Sequence, residues 1–251
     1  MFGRTIDLLG EAVFARLNSL FVVVVGLGGV GSHAAVALAR AGVGRLRLID
    51  VDVITESSLN RHACAVRADV GRQKTAVVSD YLKAIRPDME IECSETFFHE
   101  HSAAELLAGS PDYVLDAIDS LNPKVALLKY CVEHGLKVVA SMGASGRTDP
   151  ARLQVADIRN TSKCPLARFV RRRLRRQGVN EGIECVFSTQ EAAEPLPPQD
   201  EEDDNHYWQG RRRNRLPSLS TMPGIFGYAC AGVIIKRIAE SCGVDVDSAG
   251  N

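Results

Sequence analysis

The chain is predicted to fold as a doubly wound, mostly parallel α/β sheet. Three observations carry that expectation. Phe21 to Val25 is a wholly apolar run, Gly26-Leu27-Gly28-Gly29-Val30-Gly31 follows it at once, and strand-like and helix-like stretches then alternate to residue 141. An apolar run with no polar position fits a strand buried on both faces, as inner strands of a parallel sheet are. Alternating strands and helices need crossover connections, which place helices on both faces of one sheet.

Thr5 to Leu17 puts Ile6, Leu9, Val13 and Leu17 on one face, which predicts a single amphipathic helix before the first strand. Ser32 to Ala41 reads as an Ala-rich helix stopped by Gly42. Arg45 to Ile49 is a second strand that ends on Asp50. Val53 to Val70 is polar and irregular and holds Asn60-Arg61-His62. A helix from about Gly71 to Ile85 ends before Pro87. Ile91 to Phe97 reads as a strand, His99 to Leu107 as a short helix, and Asp112 to Ala117 as a buried strand leading to Asp116 and Asp119. Asn122 as N-cap and Pro123 in the first turn open a helix closed by Gly135, and Lys137 to Ser141 is the next strand.

Beyond residue 141 the texture changes. Arg152 to Ile158 and Glu184 to Ser188 read as strands, Pro165 to Gln177 as a strongly basic helix, and Phe226 to Ala239 as an apolar helix. Glu191 to Arg215, with its acidic run at 201–204 and basic run at 211–215, reads as a mobile insertion. The expected organisation is one domain over 1–251, with a nucleotide-binding half at 1–141 and a substrate half at 142–251, a C-terminal extension that holds the insertion.

Composition narrows the function. The 30 Lys and Arg nearly balance the 31 Asp and Glu, so any nucleic-acid role must come from local patches. The seven cysteines are odd in number and form no CxxC pair, which argues against a structural zinc site and a disulfide framework. The six histidines form no HxxxH or HExxH. The N-terminus carries acids and no long apolar run, so it is not a secretory signal, and no segment reaches transmembrane length. A cytoplasmic protein with no membrane partner is expected.

The glycines Gly26, Gly28, Gly29 and Gly31 let backbone N–H groups approach a phosphate at a helix N-terminus, where the dipole favours negative charge. Asp50, roughly 20 residues further on, can accept hydrogen bonds from a ribose. Such a turn can also serve only to pack helix against strand. Asp50 and Asp52 end the second strand, Asn60 and Arg61 lie in the loop after it, Lys74 starts the next helix and Asp119 follows the Asp112 to Ala117 strand. The strand ends of a parallel sheet gather at one edge, so these side chains can converge. Two cations and an acid that could hold magnesium suit a triphosphate. Hydride transfer leaves a pyrophosphate intact and needs no such clamp. Any one of these residues alone reads equally as a surface charge.

GLGGVGS, LIDVDVITESSLNRH, VGRQK and DAIDS, in this order and spacing, resemble the adenylating domain of the ubiquitin-activating-like (E1-like) family. The resemblance implies a Rossmann-like adenylation fold in a homodimer. Members activate a carboxylate by its attack on the α-phosphate of ATP, giving an acyl-adenylate and pyrophosphate. It also implies that Asp50 binds the ribose, that Asn60, Arg61 and Lys74 contact phosphates, that Asp119 binds Mg2+ with Asp116 nearby, and that Arg4 acts on the partner subunit's ATP. A monovalent cation held by backbone carbonyls near the dimer interface is a further implied ligand.

SMGASGRTDP, LQVADI, KCPLARFVRRRLRR, ECVFSTQEA and LPSLSTMPGIFG resemble the tRNA threonylcarbamoyladenosine dehydratase branch. That branch adenylates the threonyl carboxylate of the modified adenosine beside the anticodon, and cyclisation then releases AMP. Bacterial relatives often carry a cysteine in the C-terminal segment. Leu216 to Gly227 has none, and Cys185 and Cys230 read as core. Cys164 stands where an acid is expected. Phe169, Val170 and Leu174 are expected to form the inner stripe of the basic helix, with Arg168, Arg171, Arg172 and Arg175 outward toward tRNA phosphates. The alternatives are an activating enzyme for a ubiquitin-like sulfur carrier, whose members often carry two CxxC pairs, and a non-catalytic partner, which usually lacks the arginine and lysine. An oxidoreductase is more distant.

Overall fold

The computed structural model describes residues 1–197 and 216–244. Its seven strands are β1 (Phe21–Val25), β2 (Arg45–Ile49), β3 (Glu90–Ser94), β4 (Tyr113–Asp116), β5 (Val138–Ser141), β6 (Leu153–Asp157) and β7 (Glu184–Ser188). They form one sheet in the order β3-β2-β1-β4-β5-β7-β6. Every neighbour is parallel except β6, which runs antiparallel to β7. This is the expected doubly wound arrangement. The strand order reverses between β1 and β4, and ligands bind in the crevice such a reversal opens at the strand C-termini.

The apolar run of β1 serves two cores at once. Val22 and Val24 join one, while Phe21, Val23 and Val25 join the other, because successive strand residues point to opposite faces. The first core lies under α2 (Glu11–Asn18), α3 (Gly29–Ala41), α4 (Lys74–Ile85) and α8 (Thr221–Ser241); the second lies under α5 (Ala103–Leu106), α6 (Leu121–Glu133) and α7 (Pro165–Arg176).

Several elements differ from expectation. The first amphipathic stretch is two helices, α1 (Gly3–Leu9) and α2, because Gly10 takes φ +84° and breaks the backbone between them. The N-cap of α6 is Ser120, not Asn122, which puts Pro123 at the third helical position, where a missing N–H costs nothing. The α4 helix starts at Lys74, and β3 ends at Ser94. The final helix, α8, has 21 residues and is long and apolar enough to cross a membrane by length and composition. Most of it is buried inside the protein against α3, so its apolarity is used by the core. Of the expected insertion, residues 198–215 lie outside the described residues, while the Ala193 N–H bonds the Gly146 carbonyl at 2.7 Å.

Candidate active site

The site is built outward from the turn after β1. Gly26 has φ +89°, and a Cβ there would stand 2.9 Å from the Ala117 backbone just beyond β4. A Cβ at Gly31 would stand 1.7 Å from the Gly26 carbonyl oxygen. These two glycines are required by the fold. Gly28 is different: its φ is −72°, and a Cβ there would meet nothing within 4 Å. The chain leaves open space over the N-terminus of α3, where first-turn N–H groups have no intrahelical partners. That is the cradle a phosphate needs.

Asp50 ends β2 beside this turn. Its Oδ2 accepts from the Leu27 N–H at 2.6 Å and its Oδ1 from the Asp52 N–H at 2.8 Å. Burial pushes the Asp50 carboxyl upward, against the pull of the Lys74 ammonium 3.9 Å away. Lys74 opens α4 and is only 8% exposed; its Nζ donates to Asp52 at 2.7 Å. Three buried polar side-chain atoms lack a partner among the described residues: His62 Nε2, Gln73 Oε1 and Thr75 Oγ1. Gln73 and Thr75 are the sequence neighbours of Lys74. Such atoms are few in native folds and concentrate where a ligand or water completes the site.

Arg61 is held over the turn by the loop that carries it. Ser32 Oγ donates to the Gly28 carbonyl at 2.7 Å and accepts from the Ala63 N–H at 3.0 Å. His33 Nε2 lies 3.2 Å from the Arg61 carbonyl. The Arg61 Cγ would be 3.1 Å from a Cβ at Gly29, so its stem lies directly on the glycine turn. Its guanidinium donates to the Ser57 carbonyl at 2.6 Å and to Asn60 Oδ1 at 2.9 Å. The Asn60 amide in turn donates to the Ser218 carbonyl at 3.3 Å. The structure therefore brings Asp50, Asp52, Asn60, Arg61 and Lys74 together around Gly26 to Gly31.

Beyond β4 the two acids diverge. Asp119 is exposed and, among the described residues, takes only the Ser120 hydroxyl at 3.3 Å, which leaves its carboxylate open to a cation. Asp116 is not a metal candidate. It is 0% exposed, bonded to Lys124 Nζ at 2.5 Å and to the Ile118 N–H at 3.0 Å. The Asp116 pair fixes the backbone from which Asp119 projects. Burial pushes the Asp116 carboxyl up while Lys124 draws it down.

Arg4 is exposed on α1. Phe2 beside it packs on Phe14 and under Arg86, and Arg86 bonds the Gly42 and Val43 carbonyls just before β2. That is the edge where strands begin, opposite the glycine turn, so Arg4 does not join the site of its own chain.

The basic helix α7 also differs from expectation. Its inner stripe is Ala167, Val170 and Leu174, and Phe169 faces outward. Arg171 is half-buried rather than free, because its guanidinium bonds the Thr161 carbonyl at 2.8 Å and the Thr161 hydroxyl. Arg168, Arg172 and Arg175 are exposed as expected. Cys164, in the place of an acid, is the N-cap: its sulfur accepts from the Ala167 N–H at 3.5 Å. Cys185 and Cys230 are fully buried, and burial pushes both thiols up, away from a reactive thiolate.

The sequence reading missed Ser32, His33 and Pro223. A Cβ at Gly29 would be 2.9 Å from Pro223 Cβ, and Gly224 lies against the His33 ring. The start of α8 thus covers the turn at Gly29 and leaves Gly28 open. Only the serine directly after the last turn glycine was a signal in sequence.

A doubly wound sheet with a glycine turn, a buried acid at the end of β2 and two cations beside the turn has the architecture of a nucleotide-dependent adenylating fold. The chain belongs to the ThiF family, whose model matches residues 2–249. It is 38% identical to tRNA threonylcarbamoyladenosine dehydratase 2 of Saccharomyces cerevisiae over 249 residues, covering 94% of this chain and 56% of that protein. It is 33% identical to tRNA threonylcarbamoyladenosine dehydratase of Bacillus subtilis over 240 residues, covering 95% of this chain and 94% of that one. The chain therefore spans little more than half of the yeast relative. The crystal structure of E. coli tRNA N6-threonylcarbamoyladenosine dehydratase in complex with ATP superposes with a TM-score of 0.84 at 31% identity, covering 96% of this chain and 95% of that one. The family expected from the motifs is borne out.

Proposed function

We propose that this chain is an ATP-dependent tRNA threonylcarbamoyladenosine dehydratase. The observation that carries the reading is the convergence of Arg61, Lys74 and Asp50 on an open glycine turn. A carboxylate oxygen of the threonyl group attacks the α-phosphorus of ATP, and the bond to the bridging oxygen of pyrophosphate breaks. Arg61 and Lys74 hold the negative charge that builds on the departing pyrophosphate. Asn60 supports Arg61, and Asp50 accepts from the ribose hydroxyls through the lone pairs its two backbone bonds leave free. Asp119 would hold Mg2+, which neutralises phosphate charge when bound. A nucleophile within the substrate then displaces AMP, closing a ring with net loss of water.

No enzyme thiol enters this sequence, in keeping with the buried states of Cys185 and Cys230. Arg4 acts across a homodimer, because its own chain keeps it at the far sheet edge. A monovalent cation at that interface belongs to the same reading. A reducing cytoplasm suits seven free cysteines.

The test is AMP release from ATP with two substrates offered separately. The expected result is AMP with tRNA bearing threonylcarbamoyladenosine and none with a sulfur-carrier protein ending in Gly-Gly. The reverse pattern would assign the chain to sulfur-carrier activation.

A further inference from the structure

Phe169 lies on the outer face of α7 and is 37% exposed. The guanidinium carbons of Arg168 and Arg172 stand 5.1 and 5.3 Å from its ring centroid. Among the described residues no carboxylate pairs with Arg168, Arg172 or Arg175. A phenyl ring has no polar atom to justify exposure, and three apolar residues of the same helix already fill the core beneath it. What remains on the surface is an aromatic ring under two planar guanidiniums that no described carboxylate pairs. That combination matches a nucleobase with its flanking phosphates, since unstacked bases stack on aromatic rings and on guanidinium planes.

The place of this group matters as much as its chemistry. Helix α7 starts at the sheet edge from which the glycine turn projects. Cys164 Sγ lies 3.6 Å from the position of a Cβ at Gly143, two residues past β5. Phe169 is the fifth residue of the helix. The helix therefore starts at the same strand-end edge as the candidate nucleotide site, on the opposite face of the sheet from α3.

We propose that Phe169, with Arg168 and Arg172, is a stacking platform for one unpaired base of the tRNA substrate. The proposal rests on the tRNA-directed reading above and deepens it. The base lies on the ring while the two guanidiniums turn to the phosphates on either side. Arg175 adds a phosphate contact without reading a base. A paired duplex offers no free base face, so the platform favours an unpaired loop.

The experiment uses the full chain without ATP. It measures affinity for an anticodon stem–loop RNA carrying 2-aminopurine in the loop, and for a fully paired duplex of equal length, over a range of salt. Phe169→Ala is expected to weaken stem–loop binding roughly tenfold, leave duplex binding unchanged and keep the salt slope. Phe169→Trp is expected to retain affinity and the quenching of 2-aminopurine that stacking produces. The double variant Arg168→Ala with Arg172→Ala is expected to lower the salt slope by about 2 for both RNAs. Melting temperature confirms that each variant is folded. The platform is overturned if Phe169→Ala binds the stem–loop as the parent does, or loses affinity equally for both RNAs. It is also overturned, together with the tRNA reading, if the parent protein binds neither RNA at low salt. Turnover of modified tRNA by the parent, beside an unaffected Phe169→Ala affinity, would remove the platform alone.

Discussion

Gly28 and Gly31 sit three residues apart in one turn and lack side chains for different reasons. A methyl at Gly31 collides with the Gly26 carbonyl, whereas a methyl at Gly28 meets only open space. Gly31→Ala is therefore expected to cost more than about 4 kcal/mol of stability. Gly28→Ala is expected to stay within about 0.5 kcal/mol and to lose ATP binding; thermal melting and ATP titration check the pair. Arg61→Ala is expected to lower AMP formation by about 10²–10³-fold while the protein stays folded. His62 makes a separate prediction. Burial, helped by Lys74, lowers it from 6.5 to about 4, and its Nδ1 accepts from the Cys64 and Ala65 N–H groups. The unfolded chain then binds the extra proton below pH 6.5, so stability falls as pH drops from 6.5 toward 4 and is level above. The slope from this group reaches about 1.4 kcal/mol per pH unit. His62→Asn, whose Oδ1 can accept the same two bonds, is expected to remove it in denaturant titrations at pH 7 and pH 5. Asp50, Arg61 and Lys74 were legible in sequence because strand ends of a parallel sheet must gather. His33 and Pro223 were not, because their roles arise from the approach of α8 to α3 across some 190 residues of chain.

At the scale of elements, α7 shows what periodicity reads and what it misreads. Pro165 fixed its start, and the basic run fixed its length. Phe169 was expected inside because it is apolar, yet the helical spacing of Ala167, Val170 and Leu174 leaves it no room on the inner stripe. Arg171 was expected outside because it is charged, yet its long stem lets the guanidinium cap the carbonyl of Thr161. The two arginines should part in experiment. Arg171→Ala is expected to cost about 1–3 kcal/mol in stability, since it leaves the Thr161 carbonyl without its donor. Arg175→Ala is expected to leave stability alone and reduce the salt slope of RNA binding by about 1. The break between α1 and α2 was hidden for a related reason: apolar spacing continues through Gly10, and only the backbone changes. Lys124 within α6 gave no sequence signal, because nothing in a helical pattern says that a lysine will meet a buried aspartate.

For the whole molecule, the expected sheet was legible from the alternation of elements, and the structure adds the antiparallel edge strand β6. The assembly is a proposal that one mixing experiment decides. Arg4→Ala and Lys74→Ala are each expected to be inactive alone. If Arg4 serves the partner's site, unfolding and refolding them together rebuilds one complete site per mixed dimer and restores roughly a quarter of the parental rate. No recovery on mixing would place Arg4 outside catalysis or in its own subunit's site. The central claim is that this cleft makes a carboxylate reactive by giving it an AMP leaving group. It is tested most directly by mass spectrometry of nucleosides from modified tRNA incubated with the protein and ATP. The expected result is loss of one water from threonylcarbamoyladenosine with one AMP formed per event; an unchanged nucleoside with no AMP would contradict it.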